Sequence, residues 1–332
     1  MPLISQVGRN HFKVRFLLGA ITTLLWIGVS LHLFPVWWTF STSITPYKEI
    51  YKIPPALFPR GATLACYKLI FTMFSGSVTI TQPFWVYIKN SGIMTGAIMA
   101  IQIPVTALAA YALSKLHDPK WSRLLFLVLV GIALVPYQVS MIPLYFLLRD
   151  FPFATGYVPK IPFTPIPFPH YNFINTYWAV ILPGGYAAFN LLLFKGFFDG
   201  IPDELINAAR IDGASEIGIF RRIIIPLSKP VFAVVAYMTF SSSWNQFLWP
   251  LIVLKKEKLM PIAVGLYRFQ EEVNELANVI VPSDEGLLKR MAQGYSWNGV
   301  MAMSLIQSIP VFIMFIIFRE QLMKGIKLRG FK

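Results

Sequence analysis

Cysteine is almost absent from this 332-residue chain. Cys66 is its only one, so no intrachain disulfide can form. One thiol and four histidines give little material for a metal site, and no bound metal is expected. Charge is scarce as well: Asp, Glu, Lys and Arg make up 13% of the residues, where a soluble domain carries roughly 25%. Soluble folds need those charges to cover their surface, so the surface here must face lipid. No apolar run carries Asp or Glu near its middle, which argues against a carrier driven by protonation of an intramembrane carboxylate. Broken half-helices can hold sodium through carbonyls, so an ion-coupled secondary transporter stays as the alternative. The pattern G-x-x-x-x-G-K-[ST] is missing, so the chain has no loop of its own to cradle ATP phosphates. Ser241, Ser242 and Ser243 have no His or Lys base within their run, which puts an intramembrane enzyme third.

What remains is oil punctuated by proline. Hydrophobic residues make up 56% of the chain, and the mean hydropathy is +0.59. Crossing the hydrocarbon takes about 20 apolar residues as a helix. Six runs qualify: 16–40, 91–116, 124–148, 176–198, 231–254 and 297–318. The first is too long for a signal-peptide core, has no small-residue cleavage site after it, and is expected to be retained. The expected fold is therefore an all-α, polytopic membrane protein with six transmembrane helices, residues 1–332 forming one transmembrane domain. The net charge of +14 does not point to nucleic acid, because no basic stripe interleaves with aromatics on a soluble face. Its Lys and Arg are densest in the short loops that share a side with the N-terminus, including Arg9, Lys13, Arg15, Lys115, Lys120 and Arg123. The positive-inside rule then puts both termini in the cytoplasm and loops 41–90, 149–175 and 255–296 outside.

One cytoplasmic stretch does not look like a membrane loop. "DELINAARIDGASEIGIFRRIIIPLSKP" begins at Asp203 and lies in the loop 200–228. Pro202 suits a first helical position, and Asp203 and Glu204 suit the positive end of a helix dipole. Ile201, Leu205, Ala208 and Ala209 fall at helical spacing on one face. Gly213 supplies a stop, and Ser215 starts a second short helix whose Ile217, Phe220 and Ile224 share a face. Small residues beside an aromatic suggest a docking surface, with Phe220 as its anchor. A charged rim of Glu204, Arg210, Asp212, Glu216, Arg221 and Arg222 surrounds it.

Polar groups at membrane depth mark a candidate solute path: Gln138 beside Pro136, Asn190, and Trp244-Asn245-Gln246. Their amides suit a neutral sugar. Helix-to-helix hydrogen bonding is the competing role for each. The third outer loop mixes Glu271, Glu272, Glu275, Asp284 and Glu285 with Arg268, Lys289 and Arg290, a patch that could dock a protein.

The loop resembles the cytoplasmic motif of ABC importer permeases of the binding-protein-dependent type: Glu-Ala-Ala, three residues, Gly, nine residues, then Ile-x-Leu-Pro. Here it reads Asn207-Ala208-Ala209, Gly213, then Ile223-Ile224-Ile225-Pro226, with Asn207 in place of Glu and Ile225 in place of Leu. "VPYQVSMIPLY", "INTYWAVILP", "SWNQFLWPLIV" and the terminal "LMKGIKLRGFK" are similar to the maltose-type sugar permeases. The likeness covers 16–150, 172–272 and 295–332, leaving 151–171 and 273–294 as insertions. It implies a permease subunit of a bacterial or archaeal plasma membrane. It also implies a second homologous permease, two cytoplasmic ABC ATPase subunits that bind ATP-Mg, and an extracytoplasmic solute-binding protein. This chain would hold no cofactor of its own. The resemblance assigns ATPase coupling to Glu204, Asn207, Ala208, Ala209, Asp212, Gly213, Ser215, Phe220 and Arg221.

Overall fold

The computed structural model describes residues 12–52, 57–72, 82–116, 119–151, 171–278 and 295–327. Among these residues helix dominates, and the only β pairing is an isolated bridge between Phe151 and Tyr171. The helices are α1 (Phe12–Ser43), α2 (Tyr47–Ile50), α3 (Ala65–Thr72), α4 (Phe84–Tyr111), α5 (Pro119–Gly131), α6 (Tyr137–Arg149), α7 (Trp178–Ile181) and α8 (Ala188–Phe198). They continue as α9 (Asp203–Ile211), α10 (Glu216–Ile219), α11 (Ile225–Leu227), α12 (Lys229–Trp244), α13 (Leu248–Val253), α14 (Ile262–Asn278) and α15 (Trp297–Lys327).

Among the described residues, four helical stretches are long and apolar enough to cross a membrane: Val14–Ser43, Phe84–Leu116, Trp178–Phe198 and Trp297–Met323. The rest of the expected six-span pattern departs from straight helices. The run 124–148 is bent by 97° between Lys120–Leu134 and Tyr137–Arg149. Pro136 has no N–H for the preceding turn, and Val135 before it is extended, as a residue preceding proline prefers. The run 231–254 is likewise not one helix. It is α12, a break at Asn245–Phe247, then α13, with Asn245 Nδ2 donating to the Ser241 carbonyl at 2.9 Å as α12 ends. Pro250 cannot return a donor to the broken turn. Within Trp178–Phe198, a 3₁₀ turn at Pro183–Gly185 and extended backbone at Tyr186 and Ala187 interrupt the α-helix. The helix expected from residue 91 starts at Phe84, after Pro83.

The contacts divide the chain into two units. One comprises 1–72 and 270–306. Its α1 exposes apolar side chains along its length, among them Leu24, Trp26 and Leu31, as a lipid-facing helix does. Its polar end is closed by Ser43 against Tyr67 at 2.8 Å and by Asn298 Nδ2 on the Thr45 carbonyl at 3.0 Å. Within the expected outer loop 41–90, the described residues of this unit form α2 and α3.

The other unit comprises 73–269 and 307–332, and its core forms where α4 meets α8 and α12. Ala107 and Ala110 of α4 are fully buried against Leu191, Phe194 and Val235, since small side chains let helices approach closely. Gly184 is a second close approach: a Cβ there would lie 2.9 Å from Ile98. The proline-rich loop 152–170 lies outside the described residues. So do residues 279–294 of the third expected outer loop, after α14 ends at Asn278.

Candidate functional site

Residues 200–228 form a compact helix pair. Pro202 caps α9 from the residue before it rather than occupying its first turn, and Asp203 and Glu204 sit at the positive end. Gly213 has φ +79°. The Gly213 N–H donates to the Arg210 carbonyl at 3.0 Å and the Ala214 N–H to the Ala209 carbonyl at 2.9 Å. These two bonds are the Schellman closure of a helix, and its left-handed residue favours glycine. Ser215 then caps α10, its Oγ accepting from the Gly218 N–H at 3.2 Å.

Each apolar face that helical spacing groups together is split in the structure. Ile201 is buried, but Leu205 and Ala208 point outward and Ala209 is half-buried; the residue of α9 that enters the core is Ile206. Phe220 is the larger correction. It is 7% exposed and packs on Tyr111, the two rings tilted with centroids 5.3 Å apart. An aromatic already buried in its own subunit cannot be the anchor offered to a partner. Its burial contributes about 1.5–3 kcal/mol to holding the pair in place. Ile224 is buried beside it, while Ile217 is exposed. The reason is the π turn Phe220–Ile224, whose wider step rotates the face away from Ile217.

What faces outward is a ridge of which the sequence pattern named Leu205, Ala208 and Ile217 but not Ile211. Ile211 is 86% exposed and Ile217 70%, on either side of the Gly213 turn, with Leu205 and Ala208 on α9. Glu204, Asn207, Asp212, Ser215 and Arg221 are exposed around it. Asn207 Oδ1 accepts from Arg210 at 3.2 Å. The available sequence signal for Ile211 was its place three residues after Ala208, just before the Gly213 stop. Periodicity alone placed Leu205, Ala208 and Ile217 on the docking faces but grouped them with Ile201, Phe220 and Ile224, which turn inward.

Polar bonds lock the element against α4. Glu216 accepts from Arg210 Nε at 2.7 Å and from the Tyr111 hydroxyl at 2.6 Å. These two hydrogen bonds, that of Arg210 the larger influence, hold the Glu216 carboxyl below the ordinary carboxylate range. Arg210 also donates to the Lys115 carbonyl at 3.1 Å. Lys115 Nζ reaches the Ile201 carbonyl at 2.7 Å and Asp203 at 2.6 Å.

The mid-membrane candidates separate into two groups. Asn190 is buried and donates to Gln102 Oε1 at 2.9 Å and Thr239 Oγ1 at 3.0 Å. Thr239 donates to the same Gln102 oxygen at 2.7 Å, and Gln102 Nε2 to the Gly184 carbonyl at 2.6 Å. Asn190 therefore ties three helices and is not free to meet a solute. Trp244 is also buried, stacked on Phe240 and donating to the Gln307 carbonyl at 2.9 Å. Its role is packing, a correction to its place on the path. Asn245 is exposed at the break of the fifth run. It lines a cleft of about 370 Å³ with Tyr237, Ser308, Val311, Phe312 and Phe315. Gln246 is half-exposed in the same break, and Gln138 is exposed at the start of α6. In the patch proposed for a docking protein, Glu272 is buried, and residues 284–290 lie outside the described residues. No cluster of metal-ligating side chains occurs among the described residues.

Comparison with known proteins gives this arrangement a context. The permease protein AraQ of the arabinooligosaccharides transport system of Halalkalibacterium halodurans is 27% identical, over 94% of this chain and 97% of its own. The permease protein UgpE of the sn-glycerol-3-phosphate transport system of Salmonella typhi is 27% identical over 92% and 94%. A chain of a bacterial ABC transporter involved in import of the acidic polysaccharide alginate has a similar fold, with a TM-score of 0.72, 21% identity, and coverage of 97% of this chain and 100% of that one. The model of the inner membrane components of binding-protein-dependent transport systems matches residues 92–281, including the helix pair and the broken spans. A multi-pass transport subunit rather than an enzyme, this chain belongs to the family of binding-protein-dependent transport system inner membrane components.

Proposed function

We propose that this chain imports a sugar or oligosaccharide as one permease of an ATP-driven importer, with 200–228 as its ATPase-coupling element. The carrying observation is the exposed aliphatic ridge of Leu205, Ala208, Ile211 and Ile217 on a helix pair that is capped, glycine-turned and bolted to the core. Exposed aliphatic groups on a rigid mount call for a partner surface. Two cytoplasmic ATPase subunits that hold ATP-Mg fit that demand, which puts both termini in the cytoplasm. A second permease and an extracytoplasmic solute-binding protein complete the assembly. The relatives' names speak of arabinooligosaccharides, a glycerol phosphate and alginate. For this chain the cleft at Asn245 favours a neutral sugar: its lining offers an amide, hydroxyls and aromatic faces, and no cation.

Purification of the full complex in mild detergent tests the reading. ATPase subunits are expected to accompany the native chain and to be lost from Ile211→Glu and Ile217→Glu, with membrane insertion unchanged. ATPases retained by both charged variants would refute the docking ridge. Uptake that survives ATP depletion but not collapse of the proton gradient would favour the ion-coupled alternative.

A further inference from the structure

The helix pair is set off from its neighbouring spans by a turn and a bend, and it shares an apolar core with them. On one side is the turn at Gly200; on the other is Ser228, where the chain bends by 84° between Glu216–Leu227 and Lys229–Trp244. Its connections to α4, which is distant in sequence, are much more specific. Arg210 of α9 and Glu216 of α10 are joined to each other at 2.7 Å, and Glu216 is joined to Tyr111 at the end of α4 at 2.6 Å. Arg210 and Asp203 reach Lys115, one turn further on. One carboxylate thus clamps both halves of the pair to one span, one oxygen taking Arg210 and the other Tyr111, and such charge-assisted bonds are stronger than neutral ones.

α4 is then tied at two further levels. Midway, Gln102 is bonded to Gly184, Asn190 and Thr239. At its far end the buried Tyr87 donates to Glu257. Asn90 donates to the carbonyls of Lys258 and Met260, both at 2.9 Å, and accepts from Tyr177 at 2.7 Å. Ser91 Oγ accepts from the Ile262 N–H at 2.8 Å. Each level joins α4 to a different part of the chain.

We propose that Glu216, clamped between Tyr111 and Arg210, passes the movement of the coupling element to α4, which carries it as a strut to the segment 257–262. Tyr111, Arg210 and Glu216 are positioning residues: they touch no solute or nucleotide, and they set where α4 goes when the element moves. The inference rests on 200–228 being the coupling element. It goes further in naming the span that receives the movement and the side chains that deliver it.

The test uses the complete importer complex with spin labels on cysteines introduced at Trp85, exposed near the far end of α4, and Ile313, exposed on α15. Cys66 is buried and takes no label. Label distances are compared without nucleotide and after trapping with ATP and vanadate. The native clamp is expected to give a distance change that is lost in Tyr111→Phe combined with Arg210→Lys, while ATPase co-purification and ATP hydrolysis persist. Glu216→Gln, which keeps an acceptor and the side-chain size, is expected to retain part of the change. Arg222→Lys, outside the clamp, is expected to retain all of it. A clamp variant with an undiminished change would overturn the proposal, as would a native complex in which α4 does not move. Variants that lose their ATPases would also overturn it, by showing that the clamp shapes the docking ridge instead. Failure of the native chain to carry ATPases is a different result and refutes the coupling reading itself.

Discussion

Gly213 separates backbone strain from crowding. Its φ of +79° lies in the left-handed region, yet a Cβ built on it meets nothing within 4 Å. Substitution there introduces no clash, so its whole cost is dihedral. A left-handed conformation costs an L-residue about 1–2 kcal/mol; Asn pays less because its side chain can bond locally, and a β-branched residue pays at least as much. If the left-handed turn is what sets Ile211 and Ile217 on one ridge, that cost falls on the docking-competent state. A cost of 1–2 kcal/mol lowers its population by roughly 5–30-fold. The expected order of ATPase affinity is native, Gly213→Asn, Gly213→Ala, Gly213→Val. Titration of purified ATPase subunits onto the permease pair in nanodiscs reads it directly. Melting temperatures should move little, because α9 and α10 remain anchored by Ile206 and Phe220. Equal affinity for Gly and Val would refute the requirement for the turn, and an Asn variant as weak as Val would show that something other than φ is at work.

Asn190→Leu is expected to lower thermal stability by about 1 kcal/mol, on the order of 0.6 kcal/mol for each of its two bonds, with uptake per folded complex unchanged; altered solute selectivity would return Asn190 to the path. Gly184→Ala places a methyl 2.9 Å from Ile98 and is expected to cost about 1–3 kcal/mol of stability, with Ile98→Val restoring part of it in a double-mutant melt. The carboxyl of Glu216 is held low by Arg210 and Tyr111, so its contribution is present above the ordinary carboxylate pKa of about 4.3 and is lost as pH falls through the lower folded value. The melting difference between native protein and Glu216→Gln is therefore expected at neutral pH and should vanish on strong acidification; a difference that grew with acid would reverse the assignment.

Periodicity, charge and proline made much of this protein legible. The apolar runs, the helix pair, the Gly213 stop and the Ser215 cap follow from local rules, because each depends on residues within one or two turns of one another. The same rules misplaced Phe220. Whether an aromatic on a short helix points in or out depends on the π turn after it and on Tyr111, about a hundred residues earlier in the chain. Asn190 was equally open in sequence, since an amide at membrane depth looks the same whether it meets a sugar or Gln102. The breaks had visible causes in Pro136 and Pro250, but their angles did not.

The sequence by itself determined that the chain is a bundle of membrane-crossing helices with one polar, glycine-turned element between two of them, because hydropathy and backbone stereochemistry act locally. Only the tertiary structure decided which side of that element is free, and that Glu216 ties it to α4. Those outcomes depend on side chains brought together from distant parts of the chain, and no local pattern records that proximity.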